Sequence, residues 1–295
     1  MRLIVLLMVC VGSASARGQE DASFIPFEPA AYRLVNSVAF SPDDATMYFA
    51  LLNRGVLEYR GIGDPDAPET AIFSARSTAD GWTEPELLPI SGEFDDYEPT
   101  LTADGTLMVF NSRRPDSEGR VPERNDLWMV TLDSGEWGVP ARIDAISTFE
   151  NEESYGTLTA DRTLVFLRGR QGPGDEICFD LYETQMVDGR FAAPTRHPVS
   201  TDRWGEGDPW IAPDGSYLIF TRWDESVGWM ETVDLYIAFN DGGGWSVPVP
   251  LEGLNTDRPD YGAAVSADGE WLYYRANSRF QRVPIAPVLD EYRPH

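Results

Sequence analysis

The stretch Thr102-Ala-Asp-Gly-Thr-Leu-Met-Val-Phe-Asn-Ser-Arg113 decides the fold, because versions of it recur along the chain. Asp-Gly leading into a short apolar run reads as a tight turn followed by a strand. Equivalent turns stand at Ser41-Pro-Asp-Asp44, Thr159-Ala-Asp-Arg162, Ala212-Pro-Asp-Gly215 and Ser266-Ala-Asp-Gly269. Their starts are separated by 61, 57, 53 and 54 residues. The runs that follow are Met47-Tyr-Phe49, Leu107-Met-Val-Phe110, Leu164-Val-Phe-Leu167, Tyr217-Leu-Ile-Phe220 and Trp271-Leu-Tyr-Tyr274. Runs this continuously apolar fit strands covered on both faces.

The remainder of the unit repeats as well. Asp126-Leu-Trp128, Asp180-Leu-Tyr182 and Asp234-Leu-Tyr236 mark a third strand. Trp82…Pro85, Trp137…Pro140, Phe191…Pro194 and Trp245…Pro248 mark a fourth, placed at an edge where proline is tolerated. Four strands in a unit of roughly fifty residues make one propeller blade. The sequence therefore predicts an all-β, five-bladed β-propeller, with blades near 36–95, 96–152, 153–205, 206–259 and 260–295. The fifth unit has strands near 261–265, 271–275 and 280–285 but no Trp…Pro strand. The segment 22–34, with Ser23-Phe-Ile-Pro-Phe27, is expected to supply that missing outer strand and close the ring.

These units resemble the PD40, or WD40-like, propeller repeats of the propeller part of TolB. Ala212-Pro-Asp-Gly215 and Phe110-Asn-Ser-Arg113 carry the likeness best, while Asp44 and Arg162 depart from the turn glycine. The likeness covers nearly all of the chain after its leader. It implies a propeller in a periplasmic or secreted setting and leaves function open.

The amino terminus agrees with export. Met1-Arg2 gives a positive start, residues 3–11 are apolar, and Ala14-Ser15-Ala16 offers small residues for cleavage after Ala16. That order is a secretory signal peptide, 1–16, followed by a single domain, 17–295. Its apolar run is far short of the ~20 residues a spanning helix needs, so no membrane insertion is expected. Cleavage removes Cys10 and leaves Cys178 as a small buried side chain, with no CxxC or Cys/His cluster for a metal. Formal net charge is −26, and all 23 basic residues are Arg. So acidic a surface repels nucleic acid and anionic membranes.

Aligning the units on their turns gives columns at the opposite end of the first strands. One column holds Val35, Asp96, Glu153, Glu206 and Asp260. The next holds Asn36, Tyr97, Ser154, Gly207 and Tyr261, and a third holds Ser37, Glu98, Tyr155, Asp208 and Gly262. Arg113, Arg168, Arg170, Arg222 and Arg275 end the second strands on the same face. The bland reading is that acids and arginines pair and stitch the ring together, because ion-pair networks imitate functional sites. The functional reading is a funnel of acids, tyrosines and arginines. Its walls are the loops 114–125, 169–179 and 223–233, with Trp210, Trp223 and Trp229 as stacking surfaces or core.

The expected function is binding of a peptide, protein or saccharide at that face, with no cofactor and no metal. The alternative is a glycan-processing hydrolase using Glu98 and Asp208, tuned by Asp96 or Glu206. A Ser-His-Asp hydrolase is disfavoured: His197 and His295 are the only histidines, and no G-x-S-x-G elbow exists. No Asp-x-Asp-x-Asp loop is present, so a calcium site would have to be assembled from several blades.

Overall fold

The computed structural model describes residues 34–52, 68–79, 81–148, 151–172, 177–277 and 279–294. Five antiparallel sheets follow one another along the chain. Blade 1 contains β1 (Leu34–Phe40), β2 (Thr46–Leu52), β3 (Thr70–Thr78), β4 (Gly81–Trp82) and β5 (Glu86–Leu87). Blade 2 contains β6 (Asp96–Leu101), β7 (Leu107–Ser112), β8 (Asp126–Asp133), β9 (Glu136–Trp137) and β10 (Ala141–Arg142). Blade 3 contains β11 (Glu153–Leu158), β12 (Thr163–Gln171), β13 (Ile177–Val187), β14 (Arg190–Phe191) and β15 (Thr195–Arg196). Blade 4 contains β16 (Trp204–Ile211), β17 (Tyr217–Asp224), the short helix α1 (Trp229–Thr232), β18 (Asp234–Phe239) and β19 (Val249–Pro250). Blade 5 contains β20 (Tyr261–Val265), β21 (Trp271–Ala276) and β22 (Arg279–Pro284), and helix α2 (Ile285–Tyr292) follows. The first strands β1, β6, β11, β16 and β20 neighbour one another around a ring, and β20 returns to β1.

This is a five-bladed β-propeller. The signal peptide and the closing strand expected from 22–34 lie outside the described residues. Blades 5 and 1 nevertheless pack directly, with Ala264, Tyr273 and Phe280 against Val38, Met47, Phe49 and Phe73. Helix α2 was not expected from the repeat. Its Ile285 and Val288 are buried against the core shared by blades 4 and 5.

The outer strands are broken where the sequence places proline. In blade 2, β9 pairs β8 through Trp137 and β10 pairs it again through Ala141, on either side of Pro140. Proline has no N–H to donate, so the ladder lapses there and resumes. The second strands carry the core instead. Phe49, Phe110, Phe166, Phe220 and Tyr274 hold equivalent places and are fully buried. Each lies in one of five separate apolar clusters, one at each blade-to-blade boundary. At about 25 cal/mol per Å² of apolar surface, these contacts are the main favourable term between sheets that share no backbone ladder.

The turns explain the Asp-Gly signature. The fourth turn residue is left-handed throughout: Asp44 at φ 53, Gly105 at 68, Arg162 at 65, Gly215 at 71 and Gly269 at 71. Two turns lack the glycine that suits this region, and both side chains bridge to a neighbouring blade. Asp44 accepts the backbone N–H groups of Ala267 and Asp268, each at 2.8 Å, joining blade 1 to blade 5. Arg162 reaches Asp104 of blade 2 at 3.6 Å. Asp44→Gly restores the favoured turn residue but removes a two-point clasp on the ring seam. We expect it to lower stability by about 1 kcal/mol, measured by urea denaturation; equal or greater stability would show that the clasp contributes nothing.

Candidate functional site

The acid column is a buried framework. Asp96, Glu153, Glu206 and Asp260 are each completely buried. Arg168 pairs with Glu153 at 3.0 Å and Arg222 with Glu206 at 3.2 Å. Asp96 pairs at 2.9 Å with Arg114, while Arg113 is exposed and donates to the Glu123 carbonyl at 3.3 Å. Asp260 accepts the Thr256 N–H at 2.5 Å. Arg170 serves Asp180 on the third strand at 2.5 Å.

Strand alternation explains which arginine turns inward. Side chains two residues apart share a face. Arg168 and Arg222 lie two residues beyond Phe166 and Phe220, and Arg114 lies four beyond Phe110. Arg113 and Arg275 fall at odd offsets, on the other face. Arg275 therefore lies over the Tyr261 ring at 5.4 Å and aligns with Tyr261, not with Asp260. The paired Arg114 was missed because registering the motif on Ser-Arg picks the first of two adjacent arginines.

Each inward guanidinium makes three kinds of contact. Arg222 binds Glu206, covers the Phe220 and Tyr236 rings at 5.4 and 5.1 Å, and donates to the Val199 carbonyl at 2.9 Å. Arg168 repeats this with Glu153, Phe166, Tyr182 and Ile146. Arg114 does so with Asp96, Phe110, Trp128 and Ile90. Burial raises the Asp96, Glu153 and Glu206 carboxyls, and the neighbouring arginine opposes it in every case. Removing one partner of such a pair strands a buried charge. Arg222→Met is expected to cost roughly 3 kcal/mol at pH 7 and Arg113→Ala close to nothing, by thermal and urea unfolding; equal losses would refute the inward-outward distinction.

The third column faces a different environment. A bulge interrupts each first strand beside it, and Glu98, Tyr155, Asp208 and Gly262 all have left-handed φ, at 52, 53, 41 and 67. Three of these are not glycine, and such backbone costs of order 1–3 kcal/mol each. The bulges turn these residues toward a central cavity of about 290 Å³ that continues to the turns at Pro42, Ala103, Pro213 and Ala267. Glu98 is buried. Asp208 accepts a hydrogen bond from the Gly262 backbone, which lowers its pKa, but burial outweighs it and pushes the carboxyl up to about 7. Burial, with the Asp208 charge adding to it, raises the Tyr155 phenol far above its ordinary value, so it stays protonated.

A second cavity of about 410 Å³ lies toward the loop side, between blades 3 and 4. Glu152, Ser154, Tyr155, Leu167, Phe179, Gly207, Asp208, Thr221, Trp223 and Trp229 line it. Tyr155 and Asp208 line both cavities and thus stand between them. Strands β12 and β13 run longer than their counterparts, so the expected wall 169–179 is partly strand. The Phe179 N–H donates to Glu225 at 2.8 Å, fastening that wall to blade 4. Tyr97 meets Tyr155 edge-on with ring centres 6.5 Å apart, and Trp229 meets Tyr261 at 5.1 Å. Glu152 and Thr221 of this cavity were not singled out from the sequence, and Phe179 was expected only as the end of the wall 169–179.

The other reactive groups are quiet. His197 is buried, packs at a tilt against Trp245 with ring centres 4.9 Å apart, and is lowered to about 4 by burial, so it is neutral at pH 7. Burial also raises the Cys178 thiol. Among the described residues no three His, Cys, Asp or Glu side chains cluster to hold a metal, and no helix is long and apolar enough to cross a membrane.

No protein-family model and no curated protein sequence matches the chain. Solved structures do match in fold. An α-L-arabinofuranosidase from Lactobacillus brevis is 14% identical, with a TM-score of 0.54 over 87% of this chain and 92% of its own. A protein assigned as TolB from Agrobacterium tumefaciens is also 14% identical, with a TM-score of 0.51 over 85% of this chain and 76% of its own. A protein of unknown function from Dyadobacter fermentans is 15% identical, with a TM-score of 0.50 over 83% and 75%. At such identities the likeness is one of fold, and it includes a TolB-like propeller.

The raised Asp208 carboxyl has a consequence for stability. Below pH 4 it is protonated in both folded and unfolded chains. Between pH 4 and about 7 the folded chain keeps a proton that the unfolded chain releases, so stability falls as pH rises and then levels off. Asn is uncharged and also tolerates left-handed backbone. Asp208→Asn should gain about 4 kcal/mol relative to wild type at pH 8 and close to nothing at pH 4. A pH-independent difference would exclude the proposed burial effect.

Proposed function

We propose that this chain is an exported binding protein that recognises a group on a peptide, protein or saccharide in the funnel between blades 3 and 4. The observation that carries this reading is the cavity of about 410 Å³. Its volume falls within the ~300–1,000 Å³ of small-ligand sites, and aromatic walls around a few polar groups are their usual lining. The columns of acid and arginine take no direct part, because the acids are buried and three of them hold arginines. Of the thirteen residues expected at the funnel from sequence, Tyr155 and Asp208 are the proposed contacts. Asp96, Glu153, Glu206 and Asp260 act as framework with Arg168 and Arg222. Tyr97 adjoins Tyr155, Arg275 covers Tyr261, Arg113 is exposed, and Glu98 lines the central cavity.

Export is supported by the leader-like amino terminus, and the acidic surface disfavours nucleic-acid partners. The test uses peptide and glycan arrays probed with wild type and Trp229→Ala, a half-buried position on α1. Binding by wild type that falls about tenfold or more in the variant is expected, since a central aromatic anchor is commonly worth that much. Unchanged binding would place the site elsewhere.

A second reading, a glycan-processing hydrolase, draws on Asp208, whose carboxyl near pKa 7 suits a general acid. Glu98 occupies the same column two blades away. The arabinofuranosidase from Lactobacillus brevis is only 14% identical, and its activity does not transfer to this chain. Turnover of any aryl glycoside that is abolished in both Glu98→Gln and Asp208→Asn would favour this reading over simple binding.

A further inference from the structure

The chemistry of the funnel cavity is one-sided. Four of its ten lining residues are aromatic: Tyr155, Phe179, Trp223 and Trp229. Its charged groups are both carboxylates, Glu152 and Asp208, and no Arg, Lys, His, Asn or Gln lines it. The guanidiniums at the ends of the flanking second strands are committed elsewhere: Arg168 to Glu153, Arg170 to Asp180, Arg222 to Glu206, and Arg275 over Tyr261.

Two further groups point to an absent partner. Ser154 and Thr221 are completely buried, line this cavity, and leave their Oγ and Oγ1 atoms without a hydrogen-bond partner. A buried hydroxyl without a partner is costly and rare. The cavity therefore offers carboxylates, hydroxyl oxygens and the negative faces of aromatic rings. All of these attract cations, and the donors beside them are the hydroxyls and the indole N–H groups of Trp223 and Trp229. An anion would meet two carboxylates. A neutral sugar would leave the charge of both carboxylates uncompensated.

We propose that the funnel cavity between blades 3 and 4 receives a protonated alkylamine, its N–H groups turned to Asp208, Glu152, Ser154 and Thr221 and its aliphatic stem held against Trp223, Trp229, Phe179 and Tyr155. This deepens the binding reading above and rests on it. The same chemistry is met in a lysine side chain and in a free aliphatic amine. The overall charge of −26 draws either toward the protein.

The experiment follows the indole N–H NMR signals of Trp223 and Trp229, assigned with single Trp→Phe variants, in the full-length chain. Probes are n-butylammonium, its neutral counterpart 1-butanol, a capped lysine peptide, spermidine and a neutral oligosaccharide. The expected result is saturable movement of both signals with n-butylammonium and none with 1-butanol. At pH 8, where Asp208 is ionised and the alkylamine still protonated, Asp208→Asn, which should fold at least as well as wild type, is expected to weaken the amine about tenfold, the loss of one charge-assisted contact. Tighter binding of the lysine peptide than of spermidine would identify a polypeptide as the source of the amine, and the reverse a free amine; both support the assignment. Equal response to n-butylammonium and 1-butanol, or undiminished affinity in Asp208→Asn, would overturn it. Movement with the oligosaccharide alone would overturn the amine and leave the funnel as the binding face. Silence with every probe would overturn both.

Discussion

Five sheets that share no backbone ladder have to be held against one another by side chains. The apolar clusters supply most of the attraction, but apolar contact is non-directional and does not fix how far one blade rotates past the next. The inward arginines add direction. Each guanidinium is clamped between a buried acid of its own blade, two rings below it, and a carbonyl on the chain arriving from the preceding blade. A planar group with five donors in a fixed fork suits this task; the single ammonium of a lysine does not. The exclusive use of Arg in this chain agrees with that demand.

With the framework so fixed, the first strands can carry an irregularity at the same level in each blade. The bulge and left-handed residue of blades 2 to 5 bring Glu98, Tyr155, Asp208 and Gly262 together around the axis. Backbone of that kind persists only where the surroundings over-determine it. Here the surroundings include the link from the Tyr155 N–H to Asn111 of blade 2 at 2.9 Å and that from the Gly262 backbone to Asp208 of blade 4. The result is a carboxyl of raised pKa and a phenol that stays protonated, both lining the two cavities.

Much of this was legible from the repeat. A turn that needs left-handed backbone, an apolar strand buried on both faces and an outer strand broken by proline each have a local cause, and together they specify five similar wedges. The registers of the acid column and of the third column were also readable, because strand pairing preserves spacing from the turn. The choice between Arg113 and Arg114 was readable in principle from alternation, yet the motif obscured it. Helix α2 was not signalled by the repeat at all. It forms where the chain leaves the pattern and has a core edge to cover.

What the sequence determined alone is the wedge, since everything inside a blade depends on neighbours a few tens of residues apart. Tertiary structure decided which charges are used up and which remain. Glu206 and Asp208 are two residues apart and equally acidic on paper, but one meets an arginine inside the blade while the bulge turns the other to the axis. The funnel cavity belongs to no single repeat either. Tyr155 and Phe179 come from blade 3, and Asp208, Trp223 and Trp229 from blade 4. Their meeting depends on the packing angle between sheets, a property of the closed ring that no local pattern encodes.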